Sequence, residues 1–137
     1  PFATADRIVS KLQNSCDLIF AEIHAETTSE KEAMGWHLDG RVTMIYGTHT
    51  HVPTADLRIL RSGSAYQTDL GMTGPRESVL GRDIDACLGR FVDGMPRRCQ
   101  VAEGDVGMQG CLLEVNQQTG LPESVELVNW RETDLNS

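Results

Sequence analysis

Two periodicities alternate along the chain. Near the start, Ile8, Leu12 and, less regularly, Val9 form an apolar stripe at helical spacing, which predicts a short helix over about residues 4 to 14. Cys16-Asp17-Leu18-Ile19-Phe20-Ala21-Glu22-Ile23 then reads as a mostly apolar strand. Ser29-Glu30-Lys31-Glu32 carries the acidic, hydroxyl-led signature of a helix N-terminus, with Ser29 the expected N-cap and Glu32 at capping-box spacing. Ala33, Met34, Trp36 and Leu38 continue that helix, and Gly40 is a natural stop. Val42-Thr43-Met44-Ile45-Tyr46 is a second apolar strand. Strand, helix, strand is a βαβ unit, so the two strands should run parallel with a right-handed crossover.

Downstream, Ala65-Tyr66-Gln67-Thr68 predicts a third short strand, and the Gly71–Pro75 loop is built either as a tight turn or as a close approach to a ligand. A helix follows with Ile84, Leu88, Phe91 and Val92 on one face. The tail changes character. Arg98–Glu103, Gly107–Asn116 and Glu123–Trp130 alternate apolar and polar positions between Gly-containing turns, the pattern of an antiparallel meander. No repeat or interdomain linker interrupts the chain. The expectation is one α/β unit, a βαβ motif followed by antiparallel strands.

Charge narrows the range of functions. Twelve Lys+Arg against twenty Asp+Glu leave a net charge of −8 on 137 residues, which disfavours a broad basic grip on a nucleic-acid polymer or an anionic membrane. A small anionic substrate stays open if a bound cation offsets the field. No apolar run approaches the ~20 residues of a membrane helix. The four cysteines (Cys16, Cys87, Cys99, Cys111) include no C-x-x-C pair, so reduced thiols in a cytoplasmic protein are expected.

Three of the four histidines fall at one kind of place. His24 follows the first parallel strand directly, and His49 and His51 follow the second, after Gly47-Thr48. Ligands of open α/β sheets bind at the carboxyl ends of strands, and adjacent strands lie ~4.8 Å apart. Three imidazoles should therefore converge, a plausible half of a transition-metal site. His37 sits mid-helix beside Trp36 and reads as structural. Glu22, Glu26, Asp56 and Asp69 are placed either to orient a histidine or to serve as ordinary loop carboxylates and turn caps.

The stretches His24-Ala25-Glu26-Thr27-Thr28-Ser29-Glu30-Lys31, Gly47-Thr48-His49-Thr50-His51-Val52, Thr54-Ala55-Asp56, Arg58-Ile59-Leu60, Thr68-Asp69, Gly71-Met72-Thr73-Gly74-Pro75 and Leu80-Gly81 together resemble one protein group. It is the YmdB-like calcineurin-type metallophosphoesterases, bacterial 2′,3′-cyclic-nucleotide 2′-phosphodiesterases. The resemblance implies a four-layer α-β-β-α sandwich and a centre of two divalent or trivalent metal ions, Fe or Mn being typical and Zn possible. His24, His49 and His51 match the family's metal-binding histidines. The implied substrate is a small phosphoester such as a 2′,3′-cyclic nucleotide, attacked by a metal-activated water.

Only the C-terminal half of the family pattern is matched. The family's first half supplies an early aspartate, a Glu-Asn pair and an Asn-His pair; no Asn-His dipeptide occurs here. Gly104-Asp105-Val106-Gly107 mimics the opening motif but reads as a turn between late strands. A two-metal centre needs about eight or more ligand positions, several of them carboxylate oxygens. Three neutral histidines fall short of that. With the opening Pro1-Phe2-Ala3 in place of Met, a fragment is expected, catalytic only with its N-terminal half, which holds the general acid. Unpaired edges would favour homo-oligomers. Two other readings compete: a mononuclear zinc hydrolase using the same three histidines, and a non-catalytic assembly or regulatory module.

Overall fold

The computed structural model describes residues 1–136. Its elements run α1 (Phe2–Leu12), β1 (Phe20–His24), α2 (Thr28–Leu38), β2 (Met44–Thr48), β3 (Arg58–Ile59), β4 (Ala65–Gln67), β5 (Gly74–Pro75), α3 (Ile84–Asp93), β6 (Val106–Val115) and β7 (Pro122–Arg131), closed by a 3-10 turn over Glu132–Asn136. Contacts divide the chain into two compact units, Pro1–Gly71 with Cys111–Leu127, and Met72–Gly110 with Val128–Ser137.

The first unit carries a four-stranded sheet in the order β1-β2-β4-β3. β1 and β2 are parallel, as are β2 and β4, and β3 is antiparallel to β4. The expected βαβ unit is therefore present. Central β4 is buried at every position, whereas edge strand β1 alternates, with Ala21 and Ile23 turned inward and Phe20, Glu22 and His24 exposed. Val9, Met34, Leu38, Val42, Ile45, Leu60 and Tyr66 form the core, flanked by Ala5, Ile19, Ala21 and Ile23. Asp6 joins the two helices, accepting from Arg41 (2.6 Å) and bonding His37 (2.8 Å), so His37 is structural as expected.

Several boundaries differ from the sequence expectation. The buried stripe of α1 centres on Val9 with Ala5 and Leu12 partly covered, while Ile8 is exposed. β1 begins at Phe20 rather than Cys16, and β2 extends to Thr48. α2 starts two residues earlier than a Ser29 cap would place it, with Thr27 at its N-cap and no side-chain capping bond, so Ser29 is not the cap. The first turn closes on the Thr27 carbonyl, which accepts from the Glu30 and Lys31 amides, so Ser29 lies inside the helix.

The second unit contains α3 and one end of a three-stranded sheet ordered β5-β6-β7. Asp83 caps α3 by accepting from Ala86 N–H at 2.8 Å, and Gly94 closes it in the left-handed conformation (φ 71). Its apolar face is not a core face here, because only Cys87 of α3 is buried. Arg98–Glu103 forms no strand; it makes one isolated bridge, Arg82 to Val101, and β5 is the third strand of the sheet instead. Among the described residues no helix is long and apolar enough to cross a membrane.

Candidate functional site at the ends of the parallel strands

The register of β1 and β2 builds the site. His24 lies opposite Thr48, and Glu22 opposite Tyr46. Side chains aligned in a parallel pair share a face, and so do those two residues apart. Glu22, His24 and Thr48 therefore stand together. The Thr48 hydroxyl donates to Glu22 Oε1 at 2.7 Å and bonds His24 Nδ1 at 2.9 Å. Because the hydroxyl's single proton goes to the carboxylate, it must accept from His24 Nδ1–H. That fixes the tautomer of His24 and leaves the Nε2 lone pair outward.

The chain then turns sharply. His49 and His51 adopt positive φ values of 103° and 64°. Such conformations are rare for residues with a side chain, and cost of order 1–3 kcal/mol each. Gly47 makes the approach possible: a Cβ there would lie 1.7 Å from the Thr68 carbonyl oxygen and 2.6 Å from Lys31 Cδ.

The turn swings His49 against His24, their rings edge to face with centroids 4.9 Å apart. His49 Nε2 bonds Glu26 Oε2 at 2.7 Å, and His49 Nδ1 lies 3.2 Å from His24 Nε2. Since Glu26 only accepts, His49 donates from Nε2, and its Nδ1 lone pair also points at His24. The two remaining ring nitrogens thus face one another, an arrangement that either a shared proton or a shared metal ion would satisfy. Two nitrogens bound cis on one metal at ~2.1 Å would be separated by about 3.0 to 3.4 Å. The observed separation falls in that range, so the pair fits as part of a metal's donor set. Each distal nitrogen already has the oxygen partner that a ligating histidine needs.

His24 and His49 are the pair brought together, and His51 lies two residues beyond His49, at φ 64°. Among the described residues no group of three or more His, Cys, Asp or Glu is placed to hold a metal. Of the four carboxylates, Glu26 contacts a histidine directly and Glu22 acts through Thr48. Asp56 instead accepts from the Thr68 amide (3.1 Å) and hydroxyl (2.6 Å), a turn-anchoring role. Asp69 is fully buried. Burial pushes its carboxyl up, but hydrogen bonds from the Gly71 amide, Lys31 and Thr50 outweigh this and hold it below the usual carboxylate range. The Gly71–Pro75 segment is structural: the Gly71 amide caps Asp69, and Gly74–Pro75 pairs with β6.

Sequence reasoning missed Thr48 and Lys31. Thr48 was legible as the hydroxyl two residues beyond Tyr46, where a parallel neighbour of the first strand would bring it beside His24. Lys31 was legible as a cation three and seven residues ahead of Met34 and Leu38, on the helix's apolar face.

The sequence pattern of the YmdB-like proteins matches residues 1–128. This chain belongs to the YmdB-like family. It is 44% identical over 128 residues to the 2′,3′-cyclic-nucleotide 2′-phosphodiesterase of Bacillus subtilis (strain 168), covering 93% of this chain and 48% of that protein. Among solved structures, this YmdB-like chain is similar to a hypothetical protein from Thermus thermophilus, with a TM-score of 0.86 at 39% identity over 96% of this chain and 51% of that one. It is also similar to a novel phosphatase from Mycoplasma pneumoniae, with a TM-score of 0.87 at 38% identity over 100% of this chain and 50% of that one. The YmdB-like chain spans about half the length of the curated relatives it matches.

Proposed function

We propose that this chain is part of a metal-dependent phosphoesterase acting on small phosphoesters, 2′,3′-cyclic nucleotides among them. The supporting observation is the convergence of His24 Nε2 and His49 Nδ1 at 3.2 Å, each ring oriented from behind by an oxygen partner. The name of the Bacillus subtilis relative supplies the substrate class. In this reading the chain is the C-terminal half of a four-layer α-β-β-α sandwich, and the remaining ligands and the general acid come from the other half.

His24 and His49 would hold one edge of the centre, and His51 would join from the following turn. When bound, a pair of Fe or Mn ions supplies the Lewis acid and the activated water that phosphoester hydrolysis requires. The protein's own contribution is orientation. Thr48 and Glu22 hold the far nitrogen of His24, and Glu26 holds that of His49, so both rings are aimed with their remaining nitrogens toward one another. The net charge of −8 disfavours approach of a phosphate, and cations at this spot would offset that locally.

The test is metal content by elemental mass spectrometry, with cyclic-nucleotide hydrolysis, on the full-length protein and its His49→Ala variant. About two Fe or Mn per chain and activity lost in the variant are expected. One zinc per chain would replace the two-metal reading with a mononuclear hydrolase. Unchanged metal content and activity in His49→Ala would overturn the assignment.

A further inference from the structure

Beneath the histidine turn lies an ion pair that no part of the chemistry above employs. Lys31, on the inner face of α2, and Asp69, just beyond β4, both have side chains with no solvent exposure. Lys31 Nζ donates to Asp69 Oδ2 at 2.9 Å and to the Thr48 carbonyl at 2.7 Å. Asp69 Oδ2 also accepts from the Thr50 amide at 3.1 Å, and Oδ1 accepts from Gly71 at 3.0 Å. Asp69 is itself anchored: its amide donates to Thr54 Oγ1 (2.9 Å), and its carbonyl accepts from the Thr54 amide (3.0 Å).

The two backbone groups that the pair grips are the carbonyl before His49 and the amide after it. They belong to the two peptide planes joined at His49 Cα. Holding both planes fixes the φ and ψ of His49, including its φ of 103°, and hence the direction of its Cβ. A buried ion pair is a poor device for stability, since an apolar pair of similar volume is often as good or better. Retaining a strained backbone is a task that such a network suits.

We propose that Lys31 and Asp69 are positioning residues that clamp His49 in its metal-receiving conformation before any metal arrives. This rests on the reading that His24 and His49 bind a metal. It predicts that the turn is already ordered in the metal-free protein and that loss of the clamp weakens metal capture even where the fold survives.

The experiment uses full-length protein stripped of metal, with cobalt(II) as the probe, read by its affinity and its visible absorption spectrum. Thermal midpoints and amide exchange at Thr50 are measured alongside. In Lys31→Met and in Asp69→Asn, cobalt affinity should fall about 10–100-fold with an altered spectrum. The Thr50 amide, protected in the wild type, should exchange faster in Asp69→Asn. The double variant Lys31→Met/Asp69→Asn leaves no unpaired buried charge, so it should regain much of the thermal stability lost by Lys31→Met while cobalt affinity stays low. If Lys31→Met does not fold, Asp69→Asn and the double variant carry the comparison. Affinity that recovers together with stability, or Thr50 exchange unmoved by Asp69→Asn, overturns the clamp. His49→Ala separates the two claims. Unchanged cobalt binding there removes the metal reading itself; lost binding there, with wild-type spectra in the clamp variants, removes only the clamp.

Discussion

Adding a single methyl group at Gly47 should be among the most damaging small changes available to this fold. The new Cβ would sit 1.7 Å from the Thr68 carbonyl oxygen and 2.6 Å from Lys31 Cδ. Ordinary contact begins near 3.4 Å, so β2 and the chain after β4 would have to separate locally by about 1.7 Å, and the offending atom is backbone that cannot rotate away. The Leu70 amide also donates to the Gly47 carbonyl at 3.0 Å, a bond the separation would stretch. Overpacking of a core typically costs about 1–3 kcal/mol, and with a backbone obstacle the upper end, about 3 kcal/mol, is expected. At a few degrees per kcal/mol this lowers the thermal midpoint by roughly 10 °C. Thr48 and His49 follow directly, so metal affinity should fall as well. Two other glycines calibrate the argument in the same melting assay. Gly110 has nothing within 4 Å of its virtual Cβ, and Gly110→Ala should shift the midpoint by less than about 2 °C. Gly94 is equally open but has φ +71, so Gly94→Ala should cost about 1 kcal/mol from conformation alone. A Gly47→Ala protein that melts with the Gly110→Ala protein would refute the steric reasoning.

Three further outcomes follow from contacts described above. Thr48→Val keeps the strand and the side-chain shape but removes the hydroxyl between His24 and Glu22; metal affinity by competition titration should drop about 10–100-fold with little change in melting. Asp56 and Asp69 are both held below the ordinary carboxylate range: burial raises each, but hydrogen bonds, from Thr54 and Thr68 on Asp56 and from Gly71, Lys31 and Thr50 on Asp69, outweigh it. Their folded values are depressed, so the stability they contribute is complete above the unfolded value of about 3.9 and is lost as pH falls through the lower folded values; thermal midpoints should decline steeply below about pH 4, and Asp56→Asn should flatten that decline, with an unaltered slope counting against this assignment. Asp83→Ala should destabilise by about 1 kcal/mol in a denaturant titration through loss of the α3 cap while leaving metal binding at wild-type strength.

The parallel βαβ core and the meeting of His24 with His49 were readable because both depend on period and placement. Apolar runs of strand length flanking an acidic-led helix leave few topologies, and strand ends are where such sheets gather polar chemistry. What the residues did not disclose is set by tertiary contact. Ser29 has the chemistry of a cap, but α2 already begins at Thr28, with the Thr27 carbonyl accepting from the Glu30 and Lys31 amides. The stripe of α3 has core periodicity, yet Phe91 and Val92 stand 81% and 77% exposed, since periodicity records amphipathicity and not what a face meets. Arg98–Glu103 alternates like a strand but finds only an isolated bridge, while Gly74–Pro75, with no strand signature, pairs with β6. Nor did the residues disclose the turn after β2, where His49 and His51 both take positive φ.

The exposed histidine at the end of β1 depends on parity. Residues Phe20 to His24 alternate between the core and the outer face, and His24 is outward because it stands an even number of steps from Phe20 and Glu22. Deleting one residue inside β1 would exchange the two sets, driving His24 toward the helices and Ile23 into water, even though every residue type is preserved. Over evolutionary time, length changes within β1 should therefore be purged more strictly than substitutions at Phe20. The Asn116–Gly120 turn, where the Asn116 side chain accepts from the Gln118 and Thr119 amides and no alternation has to be kept, is where insertions should accumulate.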